Sequence, residues 1–169
     1  GIMGSSAFNV LEENIVVALL EKLNQAYVAQ GYGRDKKITV GVISFYQAAV
    51  NNMRRKIKRL RSQGKLTALE VSTNTVDRFQ GQERNVIITS LVRSKKPDKN
   101  GEVRLSKHVL AFERINVAFS RAQNLLFIVG AKKSFDSLNV KLPKMDSPET
   151  RTAPVYKNIM ADLHRKGCL

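Results

Sequence analysis

Short apolar runs alternate along the chain with longer segments in which apolar residues recur at helical spacing. Residues 38–43 are almost all apolar or β-branched, which is typical of a parallel strand buried on both faces. Similar runs predict strands at residues 69–71, 86–92 and 125–129. Alternation of helix and buried strand predicts an α/β fold in three layers, with a mainly parallel sheet flanked by helices. In such sheets we expect ligands beyond the carboxyl ends of the strands, where loops gather.

Helices are predicted between these strands and at the end of the chain. The first begins at Asn9-x-x-Glu12, which resembles a capping box, and ends near Gly31 and Gly33. Its predicted core stripe consists of Leu11, Ile15, Val16, Leu19, Leu20, Leu23 and Tyr27. The second is predicted from the spacing of Val50, Met53, Ile57 and Leu60.

The last part of the chain predicts a short helix over residues 132–138 and a final helix over residues 155–166. Between them lies a connector with three prolines. Proline favours extended backbone, so we expect this connector to be irregular and to cross the surface.

Length and charge narrow the possible functions. With 169 residues, 43% of them apolar, the chain can form one domain with a full core. Its formal net charge of +15 indicates an anionic partner, since like charges repel one another within a folded domain. Nucleic acid is the leading candidate. A membrane surface is the alternative, but it would need a basic amphipathic helix with bulky apolar residues or a lipid anchor, and no lipidation motif is present.

Cysteine usage and hydropathy indicate the compartment. Cys168 is the only cysteine, so the chain can form neither an internal disulfide nor a zinc knuckle. The apolar runs are far shorter than the roughly 20 residues of a spanning helix, and the start of the sequence lacks the features of a signal peptide. We therefore expect a soluble protein of the cytoplasm or nucleus, with no membrane partner.

Basic residues are concentrated in two places. No acidic residue occurs from position 37 to position 68. The outer face of the second predicted helix and the turn after it hold Arg54, Arg55, Lys56, Lys58, Arg59, Arg61 and Lys65. A loop over residues 93–107 also has a basic excess. These segments predict a surface for nucleic acid, and the alternative is a solvated helix face with basic residues by chance.

A candidate phosphate site involves two arginines that stand seven positions apart, Arg114 and Arg121. In one helix that spacing would put both guanidinium groups on the same face, about 10 Å apart. Such planar forks suit polyphosphate oxygens, although either arginine could instead be solvated or cover apolar surface. The turn at Gly81 favours the phosphate role, because glycine allows close backbone approach and Gln80 and Glu83 can bond a ribose or hold an arginine.

Other chemistry has little support in the sequence. His108 and His164 have no nearby cysteine, which disfavours a metal site. Ser120 lacks the glycine pattern of a nucleophile elbow. Asp77 and Glu83 could act as an acid and a base, but we favour roles for them in holding the loop and a nucleotide.

These segments carry a family resemblance. Residues 71–88 resemble motif V of superfamily 1 helicases, and residues 114–122, followed by the apolar residues 125–130, resemble motif VI. Residues 42–46 are similar to a strand-to-helix segment of the same domain. A Ser-x-x-Asn-x-x-Glu entry to its first helix is matched by Ser6, Asn9 and Glu12. The branch indicated contains senataxin, the RNA helicases of nonsense-mediated decay and the nuclease-helicase of Okazaki-fragment processing.

The resemblance implies a second RecA-like domain, with a core over residues 6–138, the connector over residues 139–154 and a C-terminal helix over residues 155–169. The first residues of the chain, 1–5, can be native or derived from an expression tag.

The resemblance also implies roles for the residues of the nucleotide site. Arg121 would be the arginine finger that acts on the γ-phosphate of ATP. Gln80, Gly81 and Glu83 would line the nucleotide cleft. Arg114 would brace the motif VI helix or bind the phosphate.

A second group would contact nucleic acid. By resemblance, Ser44, Tyr46 and Thr75 face the backbone of single-stranded DNA or RNA. The sequence departs from the family pattern at Ala49, where a glutamine is frequent, and at Gln123, where a basic residue often stands. These departures concern contacts with nucleic acid more than the nucleotide role.

The sequence holds only half of an ATP site. It has no Gly-x-x-x-x-Gly-Lys-Ser/Thr motif and no acidic pair after a strand to bind Mg²⁺. The resemblance places both in a first RecA-like domain, so we expect this chain to be inactive alone and to work within a larger ATP-dependent helicase. The alternative is a non-catalytic nucleic-acid-binding or protein-docking module that keeps a RecA-like fold.

Overall fold

The computed structural model describes residues 9–91, 112–130, 140–144 and 147–167. The basic loop at 93–107, the helix expected at 132–138, and Ser6 lie outside these residues.

A four-stranded sheet forms the centre of the described structure. All its neighbouring strands are parallel, and they lie in the order β2-β1-β3-β4. The strands are β1 (Ile38–Ser44), β2 (Leu69–Thr75), β3 (Arg84–Ser90) and β4 (Ala122–Val129). This arrangement confirms the predicted parallel sheet. The second strand is longer than predicted, because its pairing with β1 continues to the pair Ser44 and Thr75.

Helices cover both faces of the sheet, which confirms the predicted layers. The helices are α1 (Val10–Ala29), α2 (Gln47–Ser62), a 3₁₀ helix (Val76–Phe79), α3 (Phe112–Phe119) and α4 (Val155–Arg165). One face packs α1 and α2 against the sheet through residues such as Val16, Leu20 and Ile57. The other face packs the 3₁₀ helix and α3 through Phe79 and Ile115.

The capping prediction for α1 is confirmed, whereas its predicted core stripe is partly wrong. The Asn9 side chain accepts hydrogen bonds from the backbone N–H groups of Leu11 and Glu12. Leu11 is 68% exposed and Ile15 is 46% exposed. The buried face of α1 instead includes three polar residues, Glu12, Glu13 and Asn24. Each has a hydrogen-bond or ion-pair partner elsewhere in the domain.

The predicted helix through both motif VI arginines is also wrong. α3 ends at Phe119, and its last turn closes with a 2.9 Å hydrogen bond from Ser120 N to Asn116 O. Arg121 lies in the turn that follows, immediately before β4. The spacing of two helical turns between Arg114 and Arg121 therefore does not apply.

The prediction of an irregular connector is wrong for its described residues, which form an antiparallel pair of strands, β5 (Val140–Lys144) and β6 (Ser147–Ala153). A strand in a two-stranded sheet has one unpaired edge, so a proline with no N–H can be accommodated there. The pairing shifts register between Pro143 and Lys144. The final helix, α4, is confirmed. No helix in the described residues is long and apolar enough to cross a membrane.

Candidate functional site

The predicted site residues lie at opposite ends of the sheet. Glu83 immediately precedes β3, and Arg121 immediately precedes β4, so both lie at the amino ends of their strands. The backbone joins them here, because Arg84 N donates to Arg121 O at 3.1 Å. Ser44 and Thr75 are paired at the carboxyl ends of β1 and β2. The expectation that the motif loops gather at the carboxyl ends is therefore wrong for the loops that contain Glu83 and Arg121.

The turn that leads from the 3₁₀ helix into β3 contains Gln80 and Gly81. Gly81 has a φ of +78°, in the left-handed region that favours glycine. A Cβ atom added at this position would meet nothing within 4 Å. Glycine is thus required by the backbone conformation, and the space beside it is open. Gln80 is exposed next to that space.

Arg84 fixes this turn in place, a role that the sequence analysis missed. Its Nη1 donates to Glu83 O at 2.7 Å, and its Nη2 donates to Gln82 Oε1 at 3.1 Å. The guanidinium carbon lies 5.6 Å from the ring centre of Phe79, a distance that permits a cation–π contact. Phe79 itself is fully buried. The turn is therefore attached both to the core and to the first residue of β3.

Arg121 retains hydrogen-bonding capacity at this end of the sheet. Its Nη2 donates to Ser120 Oγ at 3.1 Å. Its Nε is buried and has no hydrogen-bond partner among the described residues. A buried donor left unpaired costs free energy, and because this nitrogen is shielded from solvent, a ligand would have to bond the terminal nitrogens of the half-buried guanidinium instead.

Arg114 has a different role from Arg121 in this structure. Its Nη2 lies 2.9 Å from Asp77 Oδ2, which joins α3 to the 3₁₀ helix. Glu83 Oε2 accepts a hydrogen bond from Gln123 Nε2 at 3.3 Å. The two carboxylates considered as an acid and a base thus have separate partners.

At the carboxyl ends of the strands, the polar groups are mostly buried. Ser44 is 4% exposed, and its Oγ accepts a hydrogen bond from Tyr46 N at 3.3 Å. Tyr46 caps α2 and is half-buried, as is Thr75. The third neighbouring strand ends with Ser90, which lies opposite Ser44.

Ser90 joins this end of the sheet to α1. Its Oγ donates to Glu12 Oε2 at 2.7 Å, and Glu12 also accepts from Asn9 Nδ2 at 3.2 Å. Glu12 is 3% exposed. Burial raises the pKa of its carboxyl, while the hydrogen bonds from Ser90 and Asn9 act in the opposite direction.

Much of the basic charge on α2 has partners within the domain. Arg54 Nη2 donates to Thr73 O at 3.2 Å, and Arg61 Nη2 donates to Val71 O at 2.9 Å. Two lysines form ion pairs with α1: Lys56 with Glu13 at 2.9 Å and Lys65 with Glu21 at 2.7 Å. These four residues thus have partners within the domain, an outcome that neither the nucleic-acid prediction nor the alternative of a solvated face included. Arg55, Lys58 and Arg59 are exposed on the same helix.

Within the described ranges, no group of three histidine, cysteine, aspartate or glutamate side chains is arranged to hold a metal ion.

Comparison with known proteins agrees with the motif assignment. The sequence profile of the AAA domain family matches residues 2–133. The DNA replication ATP-dependent helicase/nuclease dna2 of Schizosaccharomyces pombe is 29% identical over 80% of this chain and 9% of its own length. The DNA polymerase alpha-associated DNA helicase A of Saccharomyces cerevisiae is 36% identical over 76% of this chain and 16% of its own.

The match to Helicase SEN1 of Saccharomyces cerevisiae is the longest of these three, at 27% identity over 88% of this chain, and it covers 6% of that relative's length. The chain thus spans well under a fifth of the length of these relatives. Residues 2–133, which the family profile matches, contain both motif segments and the strands that position them. The chain belongs to the AAA domain family of superfamily 1 helicases, in the branch that includes dna2 and SEN1.

Proposed function

We propose that this chain is the C-terminal motor domain of an ATP-dependent DNA or RNA helicase, and that the amino ends of β3 and β4 form its half of the ATP site. The observation that carries the proposal is the position of Arg121. This arginine is half-buried in the turn before β4, and its carbonyl oxygen accepts a 3.1 Å hydrogen bond from Arg84 N, three residues after the open turn at Gly81. Family membership supports ATP as the ligand.

The other half of the site belongs to a first RecA-like domain of the same full-length protein. This sequence has no P-loop motif and no acidic pair after a strand. We therefore place the P-loop and the Mg²⁺ ligands in the first RecA-like domain. Glu83 and Gln80 line the nucleotide from this side, and Arg114 braces α3 through its ion pair with Asp77.

The chemical role of Arg121 is electrostatic. Negative charge on the phosphoryl oxygens redistributes as the bond to the γ-phosphate breaks, and a positioned guanidinium stabilises that transition state. Arg121 is suited to this role because its fork can bond two oxygens at once.

The nucleic-acid track lies at the other end of the sheet, at Tyr46 and Thr75. Ser44 supports this track from a buried position, since its hydroxyl holds Tyr46 N. ATP that bridges the two RecA-like domains closes the cleft, and hydrolysis releases it. Because the cleft and the track occupy opposite ends of the strands, each closure moves the track relative to the first domain, and the single strand is translocated.

The decisive experiment compares Arg121→Ala, Arg121→Lys and wild type in the full-length protein at saturating nucleic acid. We expect Arg121→Ala to lower kcat for ATP hydrolysis by about 10³-fold or more, with a much smaller loss of nucleotide affinity. Lysine does not restore the rate, because a point charge lacks the forked geometry. The exposed Arg34, in the loop before β1, provides the matched control Arg34→Ala.

A structural role for Arg121 gives the opposite pattern. The variant would then melt at a lower temperature, with near-normal kcat per folded molecule, and the proposal would be wrong. The isolated chain serves as a second check: turnover by this chain alone, abolished by a substitution within it, would contradict the half-site.

A non-catalytic nucleic-acid-binding module is the second candidate, and the exposed cations of α2 favour it. Arg59 lies beside a groove of about 390 Å³ between α1 and α2. If this surface binds single strands, the logarithm of affinity should fall with the logarithm of salt concentration, with a slope of about −0.7 for each neutralised phosphate. Replacing Arg55, Lys58 and Arg59 with Gln should reduce that slope. A domain that binds nucleic acid through this surface, within a full-length protein without ATPase activity, would establish this candidate.

A further inference from the structure

A chain of side-chain hydrogen bonds crosses three strands and ends at Glu83. Gln123, the second residue of β4, donates from Nε2 to Glu83 Oε2 at 3.3 Å. Its Oε1 accepts a hydrogen bond from Asn85 Nδ2 at 3.2 Å. Gln123 in β4 thus connects Glu83 to Asn85, two residues further along the neighbouring strand β3.

Asn85 is itself held by β1. Its Oδ1 accepts hydrogen bonds from Thr39 N at 3.1 Å and from Thr39 Oγ1 at 2.8 Å. Asn85 N donates in return to Thr39 Oγ1 at 3.0 Å. These contacts turn the Asn85 amide so that its Nδ2 faces β4. Gln123 must then present its oxygen to Asn85, which leaves its Nε2 for Glu83.

These contacts restrict the movement of the exposed Glu83 carboxylate. A free glutamate side chain loses conformational entropy when a ligand orders it, and this loss weakens binding. Gln123 holds one oxygen of Glu83, and Arg84 holds its backbone carbonyl at 2.7 Å. Because the amide of Gln123 is neutral, this contact brings no countercharge to the carboxylate of Glu83, and the second oxygen can still accept a hydrogen bond.

We propose that Gln123 is a positioning residue that presets Glu83 to accept hydrogen bonds from the ribose hydroxyls of a nucleoside triphosphate. The identity of that ligand rests on the proposed function. Asn85 and Thr39 act through Gln123 by fixing the orientation of its amide. Gln123 stands where the related helicases often have a basic residue. In this chain it would serve the end of the sheet where we place the nucleotide.

The test uses Gln123→Ala in the full-length protein, with ATP and 2′,3′-dideoxy-ATP as substrates. Losing the preset orientation should raise KM for ATP about 3- to 10-fold, the range for ordering one flexible side chain, with kcat within about twofold of wild type. With the dideoxy nucleotide, which has no ribose hydroxyls, the variant and wild type should have the same KM.

Asn124→Ala is the matched control. Asn124 is the adjacent exposed residue of β4, and its Oδ1 also accepts from Asn85 Nδ2, at 3.3 Å. Among the described residues Asn124 makes no hydrogen bond with Glu83, and its loss leaves Asn85 Nδ2 bonded to Gln123 Oε1, so KM for both nucleotides should be unchanged.

Three results would overturn the proposal: an unchanged KM for ATP in Gln123→Ala, an equal rise for both nucleotides, or an equal rise in Asn124→Ala. Arg121→Ala, measured in parallel, separates this outcome from failure of the proposed function. If Arg121→Ala abolishes turnover while Gln123→Ala has no effect, only the positioning role is wrong. If Arg121→Ala leaves kcat unchanged, the proposed function itself is wrong.

Discussion

The two ends of the central sheet both carry polar residues, but they differ in burial and in bonding. At the carboxyl ends, Ser44, Ser90 and Glu12 are buried, and each has a hydrogen-bond partner, while the side-chain oxygens of Thr73 and Thr89 are buried without one among the described residues. At the amino ends of β3 and β4, Glu83 is exposed and Arg121 is half-buried.

This difference separates support from ligand binding. A buried polar group whose partners are satisfied contributes to the fold and has little capacity left for a ligand. An exposed or unpaired group on a rigid support can bind a ligand without first giving up internal bonds. We therefore expect substitutions at the carboxyl ends to affect mainly stability, and substitutions at the amino ends to affect mainly nucleotide use.

The largest predicted effect lies between the two ends, at Gly41 in β1. A Cβ atom here would lie 2.7 Å from Phe79 Cζ and 2.7 Å from Ile87 Cδ1. Phe79 is fully buried and cannot move aside, so Gly41→Ala should lower the free energy of unfolding by about 2–3 kcal/mol. Chemical denaturation of the chain measures this. Gly33→Ala is the control, because nothing lies within 4 Å of its Cβ position; equal losses in the two variants would contradict the packing argument.

The next effect concerns the bond between Ser90 and Glu12. Ser90→Ala leaves Glu12 Oε2 buried without its 2.7 Å partner, and we expect a loss of about 1.5 kcal/mol in the free energy of unfolding. Ser62→Ala removes a hydroxyl whose 2.8 Å bond to Arg59 O is exposed, and it should cost less than about 0.5 kcal/mol. Equal stability of Ser90→Ala and wild type would mean that the carboxyl end does not support the fold in this way.

The smallest effect is a pH dependence at Glu12. Burial raises the pKa of this carboxyl above its ordinary value of 4.5, so the folded protein holds the proton to higher pH than the unfolded chain does. The stabilisation is present at low pH and is lost as pH rises from about 4.5 through the folded-state pKa. Glu12→Gln should therefore gain stability relative to wild type between acidic and neutral pH. Denaturation curves across that range give the sign, and a relative loss with rising pH would refute it.

Much of the fold could be predicted from the sequence because burial leaves a local pattern. The continuous apolar run in β1 and the apolar spacing of α2 are confirmed by the structure. The α1 stripe was partly wrong because Asn24 and Glu13 are buried against partners distant in sequence, Ala68 N and Lys56. Periodicity carries no information about such pairings.

The sequence motifs were enough to choose the residues of the candidate site. They were not enough to predict where those residues lie in the fold. Arg121 leaves the helix because α3 ends two residues earlier. The role of Gln123 depends on the strand order β1-β3-β4, which brings Thr39, Asn85 and Gln123 side by side. Strand order arises from the crossover connections and is not encoded in any short segment.

The most direct measurement of the central claim is hydrogen–deuterium exchange of the full-length protein with and without a non-hydrolysable ATP analogue, in the absence of nucleic acid. We expect the nucleotide to slow exchange in peptides covering residues 80–85 and 120–124, at the amino ends of β3 and β4. Peptides covering residues 44–47 and 74–76 should change only when a single strand is added. Protection by nucleotide alone at residues 44–47, with residues 80–85 unchanged, would contradict the assignment of ATP to the amino end of the sheet.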